Sequence, residues 1–377
     1  MRIVIDARYL TRQYSGIRMY SERLLEHLAL QDHENEYFCL VQPDYTRPLA
    51  LGENFQLVKY EARPLSLNTI FSLHKTVNSL KPDFFHILFP LMPVFFKGKL
   101  LVTVYDLQPL MMKDWTGRRF FPVKKMYDMF YHWIYPHTFR KAMWLVAVSQ
   151  ATKDAISHFF PELTEKTIVV HPGIDLESVD LQNPSVFEGL KVKYDIPDQY
   201  ILYVGSTRPN KNLPNMLRAY ARVREIAPQF QGLGFVLVLT RDRFIAEVLQ
   251  VIKEKNLAPG IRILDPVSQA EKHALYDYAR LFFFATRLEG FGFPLLEAQA
   301  QGTPVVASND HSLPEIAQDS AVLVDPDDVE ALADALKEVL GNRNLREDLI
   351  KKGKRNVKNF SWEKTAHRIL EIYRHLM

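Results

Sequence analysis

The chain alternates short apolar runs with segments of helical spacing along most of its 377 residues. This alternation predicts an α/β fold with parallel sheets, because such strands are covered by helices on both faces and become continuously apolar. In the first half the predicted strands are Ile3–Ile5, Tyr37–Val41, Phe55–Val58, Phe84–Ile87, Leu100–Tyr105, Trp144–Val148 and Ile168–Val170. In the second half they are Tyr200–Val204, Phe235–Leu239, Ile261–Leu264, Leu281–Phe284, Pro304–Ala307 and Ala321–Val324.

The alternation loosens between Asp175 and Pro197, where two X-Pro steps interrupt it. Each of the two halves on either side has enough strands and helices for a sheet of its own. We therefore predict two Rossmann-like domains, 1–176 and 177–361, whose parallel sheets face each other across a cleft. Ligands of such domains bind beyond the carboxyl ends of the strands.

The segment after the strand Leu281–Phe284 carries the strongest candidate chemistry. Gly290 and Gly292 allow a tight turn, and Pro294 suits the first position of a helix that continues to Ala300. A helix N-terminus attracts anions through its N–H groups and its dipole. The turn therefore predicts a phosphate-binding position, although a simple connection between strand and helix has the same pattern.

Two carboxylates flank this turn. Glu289 precedes the helix, and Glu297 is expected in its first turn. A carboxylate accepts charge-assisted hydrogen bonds from sugar and ribose hydroxyls. Together with an anion-binding turn, the pair is typical of a sugar–diphosphate–nucleoside site, and the alternative is that Glu297 only complements the helix dipole.

The stretch that begins at Glu289, E-G-F-G-F-P-L-L-E-A-Q-A-Q-G-T-P-V-V-A-S, resembles the signature of the retaining GT-B glycosyltransferases of glycosyltransferase family 4, and more particularly mannosyltransferases. Other segments match that family in the expected order. They are Asp6–Arg8, Ser15–Ile17, Asp106–Leu107, Val148–Ser149, His171–Asp175, Tyr203–Asn212, Leu313–Ala317, Ala321–Pro326 and Phe360–Lys364. In this family the last helix, here 362–377, packs back on the N-terminal domain.

The resemblance implies roles for individual residues. Arg208 and Lys211 would hold the leaving diphosphate, and Glu289 would accept from the transferred sugar. Glu297 would accept from the ribose hydroxyls. The other residues implied in substrate binding are Gly16, Arg18, Tyr105, Asp106, Gly290, Phe291, Gly292 and Phe293.

Three positions depart from the family pattern. Tyr105 stands where relatives usually carry a histidine, Arg18 where many carry a small residue, and Asn210 where many carry an arginine. The first two departures indicate either a retuned site or an inactive one, and Asn210 leaves its loop with less positive charge. The retained Arg208, Lys211, Glu289 and Glu297 favour retuning.

Composition narrows the functional classes. The net charge is +3, and the sequence has one cysteine, no Asp-x-Asp and no compact His/Asp cluster, so we expect neither a metal nor another cofactor. No G-x-G-x-x-G follows a strand, which argues against a nicotinamide or flavin enzyme. No apolar run approaches the roughly 20 residues of a membrane span, and no signal peptide is evident. We expect a cytoplasmic protein with no nucleic-acid partner.

The segment Lys113–Lys141 is basic and aromatic, with seven Lys/Arg against Asp114 and Asp128. This composition is typical of an interfacial helix on an anionic membrane, and equally of core packing or an acceptor groove. If the first interpretation holds, the protein works at the inner face of the plasma membrane.

The resemblance implies metal-independent, retaining transfer of a hexose from a nucleotide sugar. GDP-mannose is the first expectation for the donor, and a glycan, a glycolipid or lipopolysaccharide for the acceptor. Two alternatives remain open. One is a GT-B sugar-nucleotide epimerase, and the other is an inactive GT-B subunit that binds sugar or a partner transferase.

Overall fold

The computed structural model describes residues 1–10, 15–112, 115, 121–175, 184–240 and 242–376. The chain forms two compact units. The first comprises Met1–Lys113, Arg118–Gly173 and Phe360–Met377, and the main part of the second is Ile174–Asn359. The predicted boundary after residue 176 falls within 176–183, outside the described residues.

The first unit contains strands β1 (Arg2–Asp6), β2 (Glu36–Val41), β3 (Phe55–Lys59), β4 (Phe84–Ile87), β5 (Lys99–Val104), β6 (Trp144–Ala147) and β7 (Thr167–Val169). Its helices are α1 (Gly16–Gln31), α2 (Leu67–Phe71), α3 (Leu73–Ser79), α4 (Gln108–Met111), α5 (Phe121–Lys141), α6 (Gln150–Phe159) and, from the end of the chain, α15 (Trp362–His375).

The second unit contains strands β8 (Tyr200–Ser206), β9 (Gly234–Thr240), β10 (Ile261–Leu264), β11 (Leu281–Phe284), β12 (Val305–Ser308) and β13 (Val322–Val324). Its helices are α7 (Pro184–Tyr194), α8 (Leu213–Ile226), α9 (Ile245–Glu254), α10 (Gln269–Asp277), α11 (Phe293–Ala300), α12 (Leu313–Ala317), α13 (Val329–Gly341) and α14 (Arg343–Asn356).

Each unit is built on one parallel sheet, as predicted. The first sheet has the order β3-β2-β1-β4-β5-β6-β7, and the second has the order β10-β9-β8-β11-β12-β13. Every described strand pair is parallel. In both sheets the first three strands add in one direction, and the chain then returns to the first of them and adds strands in the other direction. The topological switch point therefore lies between β1 and β4 in the first sheet and between β8 and β11 in the second.

The central strands are buried on both faces. All four residues of β11, Leu281–Phe284, have no exposed surface, and neither do Ile201 and Leu202 of β8. Helices therefore cover both sides of the sheet, which is why these strands appear in the sequence as continuous apolar runs. None of the described helices combines the length and apolarity needed to cross a membrane.

Helix α15 packs on α1 within the first unit. The ring of Trp362 meets that of Tyr20 edge-on, with centroids 5.6 Å apart. At the other end of the helix, the hydroxyl of Tyr373 lies 2.7 Å from Nδ1 of the buried His86 on β4. These contacts tie the last helix of the chain to the first sheet.

Helix α7 was not expected from the sequence, where its region looked like an interrupted linker. Its Phe187 is buried and stacks on Tyr278 at 4.0 Å between ring centroids. The two prolines that suggested a break, Pro184 and Pro197, lie at the first position of the helix and after its end. Proline is well tolerated at a first helical position, because that N–H has no partner within the helix.

Candidate active site

The candidate site lies at the switch point of the second sheet. Strands β8 and β11 are neighbours there, with Ile201 opposite Leu281, although about eighty residues separate them in sequence. The loops that follow these two strands therefore emerge side by side. Parallel α/β sheets bind ligands at such a position.

Asparagine side chains fix the first of these loops to the second. The Nδ2 of Asn210 donates to the backbone oxygen of Leu288 at 3.0 Å, and that of Asn212 donates to Ala285 at 3.0 Å. In return, the backbone N–H of Arg287 donates to the oxygen of Asn210 at 2.8 Å. Asn210, which replaces an arginine of the family pattern, is buried and thus joins the two loops.

This arrangement brings Lys211 to Glu289. The Nζ of Lys211 lies 2.5 Å from Oε1 of Glu289, and the two side chains are 19% and 11% exposed. The predicted diphosphate-binding cation and the predicted sugar-binding carboxylate are therefore partners. Arg208, one turn earlier, is exposed and forms no ion pair with any residue that the structure describes.

The turn between Glu289 and α11 depends on Gly292, which has φ +97° and caps the helix. The left-handed conformation favours glycine, and a Cβ at this position would also lie 2.6 Å from Cδ2 of Leu313, which would have to move. The rings of Phe291 and Phe293 meet edge-on at 5.0 Å. Ser312 donates to the backbone oxygen of Glu289 at 2.9 Å and holds the start of the turn.

Two details predicted for α11 are wrong. The helix begins at Phe293, so Pro294 is not its first residue and Glu297 lies in its second turn. The sequence pattern placed the start one residue late because a glycine N-cap carries no side chain to signal it. Glu297 thus cannot be explained as a first-turn residue that complements the dipole.

Glu297 is held by two residues that the sequence did not identify. Lys272 lies 2.7 Å from its Oε1, and the hydroxyl of Tyr276 lies 3.1 Å from its Oε2. Both come from α10, and no local pattern links them to a residue on α11. The only signal in the sequence is their spacing of four residues, which places both side chains on one face of the helix but does not identify the residue that they contact.

Gly16 and Arg18 lie in the first unit, at the start of α1. Ser15 caps this helix, and its Oγ accepts from the N–H of Arg18 at 3.2 Å. The guanidinium of Arg18 forms an ion pair with Glu22 one turn later, at 3.0 Å, and is 8% exposed. The structure thus gives Arg18 a protein partner of its own.

Tyr105 and Asp106 follow β5, at the carboxyl edge of the first sheet. The hydroxyl of Tyr105 is buried and has no hydrogen-bond partner among the described residues. Burial raises the pKa of this phenol well above its usual value of 10. The carboxylate of Asp106 accepts from the N–H of Gln108 at 3.0 Å.

Within the described ranges, no group of three or more His, Cys, Asp or Glu side chains is arranged to hold a metal ion. Charge at the candidate site comes instead from lysines and carboxylates. Lys211 and Lys272 each neutralise one of the two glutamates. Whether the chain acts without a metal stays a prediction.

Two family models match the chain in tandem: Glycosyltransferase Family 4 over residues 14–178 and Glycosyl transferases group 1 over residues 189–356. The "O-antigen chain mannosyltransferase B" of Escherichia coli is 35% identical over 185 residues, which are 48% of each chain. A D-inositol 3-phosphate glycosyltransferase from a Nocardioides strain is 29% identical over 245 residues, covering 61% of this chain and 53% of that protein. The matches therefore span about half the length of these relatives.

The fold is also that of solved GT-B enzymes. A sucrose-phosphate synthase from Thermosynechococcus elongatus superposes with a TM-score of 0.74 over 100% of this chain and 98% of its own, at 19% identity. At that identity the likeness concerns the fold alone. The tandem family matches, together with the two parallel-sheet units, show that the chain belongs to the family 4 glycosyltransferases of the GT-B fold.

Proposed function

We propose that this chain is a metal-independent, retaining glycosyltransferase that moves a hexose from a nucleotide sugar to a glycan, glycolipid or lipopolysaccharide acceptor. The observation that carries the proposal is the pairing of Lys211 with Glu289 at the switch point of the second sheet. It joins a cation suited to a diphosphate and a carboxylate suited to sugar hydroxyls at the position where such folds bind ligands.

The leaving diphosphate needs positive charge as its bond to the sugar breaks. Lys211 and the exposed Arg208 would supply it, assisted by the positive end of the α11 dipole. When Lys211 turns to the phosphates, Glu289 loses a partner and gains the sugar hydroxyls. Donor binding thus exchanges one set of hydrogen bonds for another without leaving the carboxylate unpaired.

The stereochemical course follows from family resemblance. No protein nucleophile is assigned. The nucleoside diphosphate would leave, and the acceptor hydroxyl would attack, on the same face of the sugar, while the departing phosphate would accept the proton of that hydroxyl. Retention of configuration is thus part of the proposal, and NMR of the product anomer tests it.

Mannose is the sugar that we propose first, with GDP as its carrier, because a mannosyltransferase is 35% identical to part of the chain. The inositol-phosphate glycosyltransferase relative makes a phosphorylated polyol an alternative acceptor. A thermal-shift screen of nucleotide sugars would identify the donor, since a ligand that binds the folded state raises its stability with the logarithm of its concentration.

Substitution of Lys211 tests the proposed catalytic charge. Lys211→Ala should lower kcat by about 100-fold or more, which is the usual effect of losing one transition-state electrostatic contact. Lys253→Ala removes an exposed lysine of the same unit and should be neutral. EDTA should leave turnover unchanged, and a strict requirement for Mg²⁺ or Mn²⁺ would refute metal independence.

The two glutamates should separate kinetically. Glu297→Ala should raise the donor KM, because a ribose contact is present in both ground and transition states, whereas Glu289→Gln should mainly lower kcat. Steady-state kinetics with the screened donor distinguishes these effects. Wild-type constants in both variants would refute the site.

Turnover with and without an acceptor separates the other functional classes. Release of nucleotide that depends on acceptor identifies a transferase. Conversion or hydrolysis of the sugar nucleotide without acceptor identifies an epimerase. If no nucleotide sugar binds or is turned over across a broad panel of donors and acceptors, the chain is an inactive subunit.

We also propose that the first unit contacts an anionic membrane through α5. One side of this helix packs in the core through Tyr131, Ile134 and Tyr135. The opposite side exposes Met126, Met129 and Trp133, which are 60%, 64% and 47% exposed. Lys125 is exposed on the flank of this apolar stripe, as in an interfacial helix, whereas the helical repeat places Lys124 on the opposite side.

A further inference from the structure

The two residues of α10 that hold Glu297 have a consequence for nucleotide recognition. Lys272 donates to one oxygen of the carboxylate and Tyr276 to the other, so neither oxygen can rotate away without losing a bond. The carboxylate of Glu297 is thus fixed in position and in plane before any ligand arrives.

The support for these donors is itself rigid. A capping box formed by Ser268 and Glu271 fixes the start of α10. The ring of Tyr276 meets that of Phe282 on β11 edge-on, with centroids 5.2 Å apart. The hydroxyl of Thr303 donates to the backbone oxygen of Tyr276 at 2.6 Å. Side chains held on regular elements by several contacts position a site more accurately than those on loops.

Burial indicates that the pair has a role beyond surface charge. The side chain of Lys272 is 9% exposed and that of Glu297 is 12% exposed. Lysine is rarely buried unless it is paired, since loss of hydration must be offset. An ionised carboxylate has about four acceptor positions, of which Lys272 and Tyr276 occupy two. The remaining positions match the two adjacent hydroxyls of a ribose.

We infer that Lys272 and Tyr276 are positioning residues that orient Glu297 to accept both ribose hydroxyls of the donor nucleotide. The inference rests on the proposed function and adds the source of ribose selectivity. A carboxylate that is held at both oxygens presents its remaining lone pairs in one geometry. A nucleotide that lacks the ribose hydroxyls leaves those lone pairs without a hydrogen-bond donor.

Calorimetric titration with GDP, or with UDP if the thermal-shift screen selects it, and with the matching 2′,3′-dideoxynucleoside diphosphate tests this inference. The wild type should prefer the ribonucleotide by about tenfold or more, the usual contribution of hydrogen bonds to a charged group. Lys272→Met should weaken ribonucleotide binding by about tenfold and bring the ratio close to one. Tyr276→Phe should reduce the ratio by about threefold, since one neutral donor is lost.

Controls separate positioning from a general loss of structure. Lys272→Arg keeps the cation and should restore most of the preference. Lys191→Met removes a more exposed pair of the same unit, in which Nζ lies 2.6 Å from Asp198, and should leave both affinities unchanged. A purely structural role would weaken both nucleotides equally and leave the ratio intact.

Glu297→Ala distinguishes failure of the inference from failure of the proposed function. If this variant loses the preference for the ribonucleotide while Lys272→Met and Tyr276→Phe keep it, Glu297 binds the ribose hydroxyls without Lys272 and Tyr276, and the positioning role is overturned. If Glu297→Ala itself keeps the preference, the ribose contact in the proposed function is wrong, and the inference falls with it.

Discussion

Tyr105 shows how a single substitution can change the chemistry of a site. Its hydroxyl is buried without a partner among the described residues, beside the edge of Tyr20 at 5.3 Å between ring centroids. Burial raises its pKa well above 10, so the phenol stays protonated and can donate throughout the physiological range. A histidine would instead bring a group whose ordinary pKa lies near 6.5 and falls on burial.

We therefore expect a pH–rate profile without a limb near pH 6.5 and a loss of about tenfold in kcat/KM for Tyr105→Phe, the scale of one hydrogen bond to a substrate hydroxyl. Tyr45→Phe is a matched control, because Tyr45 in the same unit also has a buried hydroxyl without a described partner. Full activity of Tyr105→Phe would mean that the ring only packs against Tyr20.

His86 makes the first sheet sensitive to acid. It is fully buried between Tyr373 of α15 and Thr103 of β5, with ring nitrogens 2.7 and 2.9 Å from their hydroxyls. Burial lowers its pKa to about 3. Because the unfolded chain binds this proton near pH 6.5, the stability contributed by neutral His86 is complete above that pH and decreases as pH falls toward 3.

The expected loss between pH 7 and pH 5 is about 2 kcal/mol of unfolding free energy. His86→Gln removes the titration, so urea unfolding of this variant should depend less on pH over that range. Other groups titrate in both proteins and cancel in the comparison. Equal pH slopes for wild type and variant would contradict a neutral buried His86.

The elements that local patterns predict best are the strands. Segments such as Phe84–Ile87 and Leu281–Phe284 are buried on both faces, so their apolar runs coincide with the observed strands. Helix α7 was missed because its flanking prolines resemble a linker, and only tertiary packing of Phe187 on Tyr278 reveals it.

The candidate site was only partly predictable for a related reason. Glu289 and Glu297 lie within one motif, and the glycine turn between them is visible in the sequence. The partners of these carboxylates, Lys211 and Lys272, come from other elements 78 and 25 residues away in sequence. Such contacts depend on strand order and helix packing, which the hydrophobic periodicity of a short segment does not predict.

At the scale of the whole molecule, the proposed membrane contact can be tested directly. Trp133→Ser combined with Met129→Ser should abolish cosedimentation with phosphatidylserine vesicles at low salt, since both side chains are exposed on the apolar stripe of α5. Replacing the exposed Lys125 with serine should weaken binding by about 1 kcal/mol.

Leu249→Ser provides the control for exposed apolar surface, because Leu249 is 48% exposed in the second unit. Its binding to vesicles should match the wild type. If the wild type does not cosediment with anionic vesicles, the membrane proposal is refuted.

The return of α15 to the first unit also sets an order of events during synthesis. The ribosome must translate all of the second unit, Ile174–Asn359, before Trp362 and Tyr373 can reach α1 and His86. At about 5–20 residues per second, the first sheet waits roughly ten to forty seconds without its last helix. During that interval the face of α1 that α15 covers stays uncovered, so the first unit, although its sheet is made first, cannot be completed until α15 has been made.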